Sequence, residues 1–439
     1  MNIPSRKSIT ATILFLFLVI FIGGIAFYLG GGFFGSSQVV DPNNSGEDRG
    51  LPFFPFGRGG EDAPTPITEP TPTETDGEVE TPTTTEREVI INRLRQISLT
   101  PAAGGYVFSR TIEDDSLFSS APEQIDVMRY IERSSGHVYE TTGETDLVTR
   151  ITNTTIPRTH KALFLSGDQM LMQYVDSNSE ALKTFSAEVV APTGTLVLEN
   201  ETRFSKLSGV FLQDNIVTLD VSAEGQVLYG IEDQGSFSLR VTDRNGNDVR
   251  EVFTSRLLNW HPSFYNNTRA TLNHVPSYTS FGKAFTLNIT TAGLTDLYSG
   301  KLALQSLPSP DGSKTLVSFR DGREMSLYIL DNGELIDTNL NTYAEKCIWS
   351  SDNIFVYCAE PLNDISAQAP DVWYQGVESY SDDVYQIDTS TNISGLLFSP
   401  FEEGSYSLDI TDLNLSLNER YLSFIDKETT TFWTYQLEI

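Results

Sequence analysis

From Glu86 onward, the chain consists of short runs of alternating apolar and polar residues, separated by turns rich in Gly, Asn, Asp and Ser. No window of about 12 or more residues in this part keeps the 3.6-residue period of an amphipathic helix. Aromatic residues make up 11% of the chain, and this bias also favours strands. The pattern therefore predicts an all-β domain over residues 86–439.

One stretch shows the repeating unit clearly. Its four apolar runs are Leu302-Ala303-Leu304, Leu316–Phe319, Met325–Leu330 and Glu334–Ile336. The first two are joined by Ser309-Pro310-Asp311-Gly312, and the others by tight turns that each contain a glycine. Four antiparallel strands in sequence have the size of one β-propeller blade.

The same kind of turn, between a short apolar strand and a longer alternating one, recurs along the domain. We place these turns near Pro101, Ser166, Ser222, Pro262, Ser309, Ser350 and Ser416, at spacings of 40 to 66 residues. A four-stranded blade needs about 40–50 residues, and the longer spacings contain insertions. The spacing predicts a seven-bladed β-propeller of four-stranded antiparallel blades. Two β-sandwiches in tandem are the alternative.

The turn motif carries a family resemblance. Residues 309–317 read SPDGSKTLV and resemble the S-P-D-G-x-x-L repeat of TolB-like β-propellers, and Ile348–Asn353 looks like a degenerate copy. No Trp-Asp dipeptide ends the strands, so this is not a WD-type propeller in the strict sense. The resemblance implies the propeller fold over about residues 97–439. TolB-like propellers mostly bind proteins, although related ones occur on peptidases and glycan-cleaving enzymes, so function does not transfer with the fold.

A propeller must join its first and last blades, because otherwise two strand edges stay unpaired. The last repeat supplies strands around Tyr421–Ile425 and Thr431–Leu437 but no outermost strand. The stretch before the first repeat, Val89–Pro101, resembles Leu147–Pro157, which should be an outer strand by its position. We therefore expect residues near Glu88–Arg95 to pair antiparallel with Thr431–Leu437.

The N-terminal part contains a candidate membrane anchor. Ile9–Leu29 is 21 residues without a charge, enough at about 1.5 Å per residue to cross a hydrocarbon core of roughly 30 Å. Arg6 and Lys7 precede it, and the next charge is Asp41, which places the N-terminus inside. Residues 1–40 are thus predicted to be a cytoplasmic N-terminus and an uncleaved signal anchor in the cytoplasmic membrane. The alternative is a cleaved secretory signal, and both interpretations place the domain outside the cytoplasm.

Residues 41–85 differ in composition from the segments on either side. They contain eight prolines and runs of Thr and Glu, so they cannot bury enough apolar surface to offset the entropy of ordering the chain. They are predicted to form a disordered, extended stalk.

Charge and motifs argue against several functions. The formal net charge is −30, which makes nucleic acid an improbable partner. No metal-binding, phosphate-binding or nucleophile motif is present, so no catalytic residue, metal or cofactor is predicted. Acidic pairs such as Asp114-Asp115, Asp382-Asp383 and Glu402-Glu403 are expected in solvated loops, and the four histidines are scattered over different units. A glycosidase-like carboxylate pair stays open, because such pairs are defined in space.

The two cysteines flank one predicted hairpin turn. A register that places Trp349 opposite Val356 places Cys347 directly opposite Cys358, within disulfide reach. The exported compartment permits disulfides. A structural disulfide is therefore predicted, with two small buried thiols as the alternative.

A longer connection, Pro361–Ser381, interrupts the same unit. It contains the residues that we single out as a candidate partner-binding surface, which are Asp371, Trp373, Tyr374, Gln375 and Tyr380. Propeller connections lie on the faces of the disc, and Trp and Tyr are enriched in binding hot spots. The alternative is that Trp373 and Tyr374 fold back and cap a neighbouring blade.

Together these observations predict a membrane-anchored, extracytoplasmic propeller that binds a protein or a cell-envelope polymer. A propeller enzyme that cleaves glycans or peptides with carboxylates at the central funnel is one alternative. A structural surface component is the other.

Overall fold

The computed structural model describes residues 92–112, 123–192, 204–322 and 324–437. The predicted anchor (1–40) and stalk (41–85) lie outside these residues. Within the described ranges, no helix is both long and apolar enough to span a bilayer.

The described residues form 27 strands. In chain order they are β1 Leu94–Gln96, β2 Ala102–Ile112, β3 Glu123–Glu132, β4 Val138–Thr142, β5 Thr149–Arg150, β6 Thr159–Phe164, β7 Gln169–Val175, β8 Leu182–Val190, β9 Lys206–Phe211, β10 Ile216–Val221, β11 Val227–Asp233, β12 Ser236–Thr242, β13 Arg250–Ser255, β14 Trp260–Asn266, β15 Arg269–His274, β16 Phe281–Asn288, β17 Gly293–Pro308, β18 Lys314–Asp321, β19 Glu324–Asp331, β20 Glu334–Leu340, β21 Cys347–Trp349, β22 Phe355–Pro361, β23 Asp382–Asp388, β24 Ile393–Phe398, β25 Ile410–Leu415, β26 Tyr421–Asp426 and β27 Phe432–Gln436. The helices are short: a 3-10 turn at Ala344–Lys346, α1 at Asp371–Tyr374 and α2 at Pro400–Gly404.

The strands form six antiparallel sheets in which sequence neighbours are also spatial neighbours. Sheet I is β2–β5, sheet II is β6–β9, sheet III is β10–β13, sheet IV is β14–β20, sheet V is β21–β24, and sheet VI is β25–β27 with β1. Five sheets have four strands and sheet IV has seven. The reason is β17, whose first half pairs with β16 and whose second half pairs with β18. The predicted four-stranded antiparallel meander is thus confirmed.

The core lies between consecutive sheets. Six clusters of buried apolar side chains join I to II, II to III, III to IV, IV to V, V to VI and VI back to I. A further cluster lies within sheet IV, around Leu304 and Phe319. Because the sheets are covered on both faces, second strands such as β7 and β11 read as nearly continuous apolar runs. Sheets packed face to face in a closed ring define a β-propeller.

The antiparallel order gives the propeller two distinct faces. We call the side that carries the connections from the first to the second strand and from the third to the fourth strand of each sheet the turn face. The opposite side, the loop face, carries the connections from the second to the third strand and from each sheet to the next. Each first strand therefore begins at the loop face.

The Ser-x-Asp motif builds the turn face through hydrogen bonds. In the 309–314 turn, the Ser309 hydroxyl donates to the Asp311 carboxylate (2.7 Å) and accepts from the Lys314 amide (3.1 Å). Gly312 has a φ of +75°, which a residue without Cβ adopts at no steric cost. The Ser350 hydroxyl makes the same bonds with Asp352 (2.6 Å) and the Phe355 amide (2.9 Å). The repeated Ser-x-Asp motif therefore stabilises each turn through hydrogen bonds between residues close in sequence.

Sheet VI closes the ring as the sequence predicted. β1 pairs antiparallel with β27, with Leu94 opposite Tyr435 and Gln96 opposite Trp433. The part of the predicted strand from Glu88 to Ile91 lies outside the described residues. At the same seam, a Cβ on Gly105 would lie 2.3 Å from the Phe432 ring, so only glycine fits there.

Two of the predicted turn positions are wrong. Pro262 lies inside β14, opposite Leu272, and the turn follows four residues later between Asn266 and Arg269. Pro101 precedes the first strand of sheet I and does not follow it. Both errors come from treating proline as a turn signal, although a proline is tolerated on the edge strand of a sheet.

Candidate functional site

The connection between β22 and β23, residues 362–381, folds over the loop face. The Asp371 carboxylate at the start of α1 accepts from the Ser277 hydroxyl (3.0 Å) and the Tyr278 amide (2.8 Å) of sheet IV. Arg320, also of sheet IV, donates to the Ser366 carbonyl (2.8 Å). We call this segment the cap. It is held on sheet IV as well as on sheet V, from which it emerges.

The five predicted contact residues of the cap differ in their exposure to solvent. Trp373 and Tyr380 are 3% and 4% exposed, so of the two residues in the fold-back alternative, Trp373 and Tyr374, only Trp373 is buried. Asp371 is half-buried, while Gln375 is exposed and Tyr374 is 36% exposed. Partner binding by this surface stays a prediction, and it falls mainly on Tyr374 and Gln375.

A buried ion cluster lies beneath the cap. Lys346, just before β21, is fully buried, and its ammonium lies 2.7 Å from Asp382 Oδ2 and 2.8 Å from Asp409 Oδ1. Asp382 is the first residue of β23, and Asp409 directly precedes β25. Lys427 approaches Asp409 at 3.8 Å from the solvent side. The three buried groups carry two potential negative charges against one positive charge.

Aromatic rings enclose this ion cluster. The Lys346 ammonium lies 5.2 Å from the centre of the Trp373 ring and 5.1 Å from that of Tyr380. Trp373 Nε1 also donates to Asp409 Oδ2 (2.9 Å), and Tyr343 stacks on Trp373. The cap is thus bound to the ring through the ion cluster, and the surroundings of the three charges exclude water.

A second carboxylate lies next to the ion cluster but faces solvent. Glu345 accepts a hydrogen bond from Tyr374 of the cap and one from Gln305 Nε2 (2.8 Å), and its own amide donates to Gln305 Oε1 (3.2 Å). Solvent reaches its side chain, yet protein surrounds it, and this desolvation raises the pKa of Glu345 to about 7. The neighbouring Asp412 carboxylate contributes to the same shift. A carboxyl group with such a pKa can donate or accept a proton near neutral pH.

The expectation that the acidic pairs lie in solvated loops is wrong for one of them. Asp382 and Asp383 are 1% and 8% exposed at the start of β23. Glu402 and Glu403 are exposed on α2, and the pair at 114–115 lies outside the described residues. The Asp382 site is not apparent from the sequence, because its partner Lys346 lies 36 positions away. The available signal was a lysine placed directly before a predicted inner strand.

The predicted disulfide is present. Cys347 and Cys358 are directly opposed on β21 and β22, with Trp349 opposite Val356, and their Cα atoms are 4.1 Å apart. This bond ties the strand that follows Lys346 to its neighbour.

The histidines of the described residues lie apart from the ion cluster and from Glu345. His261 and His274 lie on the paired strands β14 and β15, so they share a sheet, contrary to the expected scatter. Across the described part of the chain, no group of three or more His, Cys, Asp or Glu residues could hold a metal ion.

A cleft of about 340 Å³ lies at the seam between sheets VI and I. Its central carboxylate, Asp126, pairs with Arg420 (2.7 Å) and accepts from Asn418 (2.8 Å) and Ser109 (3.0 Å). Because these donors occupy the carboxylate, we assign it a role in closing the ring.

These features define an all-β protein of the propeller class. No protein-family profile and no curated protein matches the chain. Among solved structures, it is similar to oligogalacturonate lyase in complex with manganese, with 9% identity over 77% of this chain and 99% of the other, at a TM-score of 0.41.

Two further solved structures are similar. The β-propeller domain of the Trilobed protease from Pyrococcus furiosus has 13% identity over 72% of this chain and 92% of the other, at a TM-score of 0.45. TolB from Acinetobacter baumannii has 11% identity over 76% and 80%, at a TM-score of 0.39. Similarity at this level concerns the fold alone, so the functional argument depends on this chain's own residues.

Proposed function

We propose that this chain is a propeller binding module that recognises a protein or a cell-envelope polymer through its loop face. The observation that carries the proposal is where the exposed aromatic side chains lie. Among the described residues, five aromatic side chains are exposed, and all five lie in loop-face connections or at strand ends on that face. They are Phe211, Phe281, Tyr374, Phe401 and Tyr406, with exposed fractions of 60%, 75%, 36%, 62% and 40%. Phe and Tyr are enriched in protein interfaces relative to the rest of the surface.

The cap supports the proposal because it gives the loop face a fixed shape. Leu362 and Val377 are 56% and 75% exposed on a segment that is anchored through Asp371 and Trp373. A surface that is already ordered loses little conformational entropy when a partner binds.

We further propose that the propeller has seven blades and is held outside the cytoplasmic membrane. The blade count treats the two halves of β17 as strands of two consecutive blades, which makes seven from the six sheets. Residues 1–40 would anchor the protein through 9–29, and 41–85 would serve as a stalk.

A matched pair of double variants tests the binding face. Phe281→Ser with Phe401→Ser removes apolar surface from the loop face. Leu147→Ser with Leu417→Ser removes similarly exposed side chains, 73% and 83% exposed, from the turn face. The tagged full chain is cross-linked in membranes, and the recovered partner is quantified by mass spectrometry. We expect recovery to fall in the loop-face variant alone, and equal recovery from both would contradict the proposal.

A second candidate function is glycan or peptide cleavage by acid–base chemistry. Glu345 favours it, because its pKa is raised to about 7 and Asp412 lies close enough to affect that pKa. If the protein is such an enzyme, Glu345→Gln should abolish turnover of an envelope glycan or peptide library, whereas the binding-module proposal expects no turnover from the wild type.

A further inference from the structure

The ion cluster beneath the cap brings an amine and two carboxyl groups into direct contact in a dry interior. Lys346, Asp382 and Asp409 have no solvent-exposed side-chain surface, and both Lys346 contacts are 2.8 Å or shorter. Burying charges costs several kcal/mol for each ion unless they are neutralised. Removing the charge of Lys346 and one carboxyl group together would relieve that cost.

The two carboxyl groups are not equivalent. Asp409 Oδ2 accepts hydrogen bonds from Trp373 Nε1 (2.9 Å), the Ser379 hydroxyl (3.2 Å) and the Tyr380 amide (3.2 Å), which leaves Oδ1 to face the Lys346 ammonium at 2.8 Å. Asp382 has fewer donors, and burial raises its pKa to about 6. Asp409 Oδ1 is therefore placed to take a proton from the ammonium, and Asp382 is suited to be protonated and open to attack.

The oxygens of Asp382 also differ from each other. Oδ2 accepts from the Ile410 amide (2.6 Å) and from Lys346, whereas Oδ1 is buried without any hydrogen-bond partner. A buried polar atom without a partner costs about 1–3 kcal/mol and calls for an explanation. Loss of that oxygen from the protein would remove the cost.

We propose that Lys346 and Asp382 are joined by an intramolecular amide bond that forms within the folded protein. Asp409 takes one proton from the Lys346 ammonium, and the free amine attacks Cγ of protonated Asp382. The C–N bond forms while the Ile410 amide holds the negative charge that develops on Oδ2. The C–Oδ1 bond then breaks, and Oδ1 leaves as water with its own proton and a second proton from the nitrogen. One ammonium proton stays on Asp409, and no oxidant, cofactor or second substrate is consumed.

The bond would cross-link the base of the cap. Lys346 precedes β21 and Asp382 begins β23, directly after the cap returns to the sheet. With the Cys347–Cys358 disulfide one residue further on, β21 would be tied covalently to both β22 and β23. The amide differs from the disulfide in that reducing agents do not break it.

Intact mass decides the question. The full chain is purified, denatured and reduced, and its intact mass is measured by mass spectrometry. We expect a mass lower than that calculated from the sequence by one water molecule. Tryptic digestion should then leave the chain uncut after Lys346, so that Glu324–Lys346 and Cys347–Arg420 appear as one peptide that lacks one water. A full mass together with cleavage after Lys346 would overturn the proposal.

Three variants test the assigned roles on the same readout. Lys346→Met should keep the full mass of its sequence. Asp382→Asn should lose ammonia instead of water and reach the same mass as the cross-linked wild type, because both reactions give the same amide. Asp409→Asn keeps the size of the side chain and should leave the bond unformed. Folding of this variant is checked by the resistance of the Cys347–Cys358 disulfide to reduction and alkylation under native conditions. If Asp409→Asn still loses water, Asp409 is not the base.

Discussion

Glu345 and Lys346 are consecutive residues in very different surroundings. Lys346 has no exposed side-chain surface and lies between two carboxylates, whereas solvent reaches Glu345, which bonds to Gln305 and the cap. The difference arises because these two residues enter the first strand of sheet V at the loop face, where one side chain turns into the interior and the next does not. A two-residue segment thus supplies both the anchor of the cap and the carboxyl group beside its exposed edge.

The raised pKa of Glu345 predicts a pH dependence of stability. Between about pH 4.5 and pH 7 the folded state keeps a proton on Glu345 that the unfolded state has lost, so the free energy of unfolding should fall as pH rises through this window. The fall should level off above about pH 7. Glu345→Gln removes the titrating group and should give a shallower slope when urea unfolding is measured from pH 4.5 to pH 8.

Glu403→Gln is the control, because Glu403 is an exposed carboxylate on α2. Its slope should match that of the wild type. A wild-type slope in the Glu345→Gln protein would contradict the assignment of the titration to Glu345. The slopes are compared as differences between variant and wild type, so that the contributions of all other titrating groups cancel.

At the scale of elements, β1 is short but occupies an essential position. Leu94 is 4% exposed and packs in the cluster between sheets V and VI, and the Ile97 amide donates to the Phe432 carbonyl (2.8 Å). The Ser98 hydroxyl accepts from the Phe432 amide (2.7 Å). A three-residue strand therefore completes a four-stranded sheet and covers the edge of β27.

Placing a charge in this strand tests its contribution. Leu94→Asp puts an unpaired carboxylate in the core, and we expect it to lower the free energy of unfolding by several kcal/mol. Leu99→Asp alters a residue five positions later that is 85% exposed, and it should change the value by less than about 0.5 kcal/mol. Urea unfolding followed by tryptophan fluorescence gives both values. Equal stability of the two variants would show that β1 does not close the ring.

Local chemistry made much of the fold predictable. The turns at Ser309 and Ser350 are formed by hydrogen bonds within about five residues, so the sequence displays them directly. The pairing of Cys347 with Cys358 followed from one hairpin register. The candidate site was harder to predict, because Lys346, Asp382 and Asp409 meet only when a long cap folds back. The continuous pairing of β17 with both β16 and β18 likewise has no local signal.

At the scale of the whole molecule, connectivity and charge predict how the protein should behave in a cell. The net charge of −30 disfavours nucleic acid as a partner. The proposed anchor and stalk place all protease-sensitive linker sequence on one side of the membrane.

Limited proteolysis of spheroplasts tests this arrangement. Protease added from outside should cut within residues 41–85 and release the propeller, while the compact domain resists digestion. The control is the same digestion after the spheroplasts are lysed, which should give the same fragment. A domain that stays attached and protected in intact spheroplasts, but is released after lysis, would place it in the cytoplasm.

The pairing of β1 with β27 also constrains biogenesis. During synthesis β1 emerges early, and its partner is made more than 330 residues later, with Leu94 finally opposite Tyr435. Until then both sheet edges at the seam are open, and open edges recruit other chains. A chain whose synthesis stops within sheet VI therefore keeps both edges open and is prone to aggregate. We therefore expect chaperones that recognise exposed strand edges to bind this protein during its synthesis.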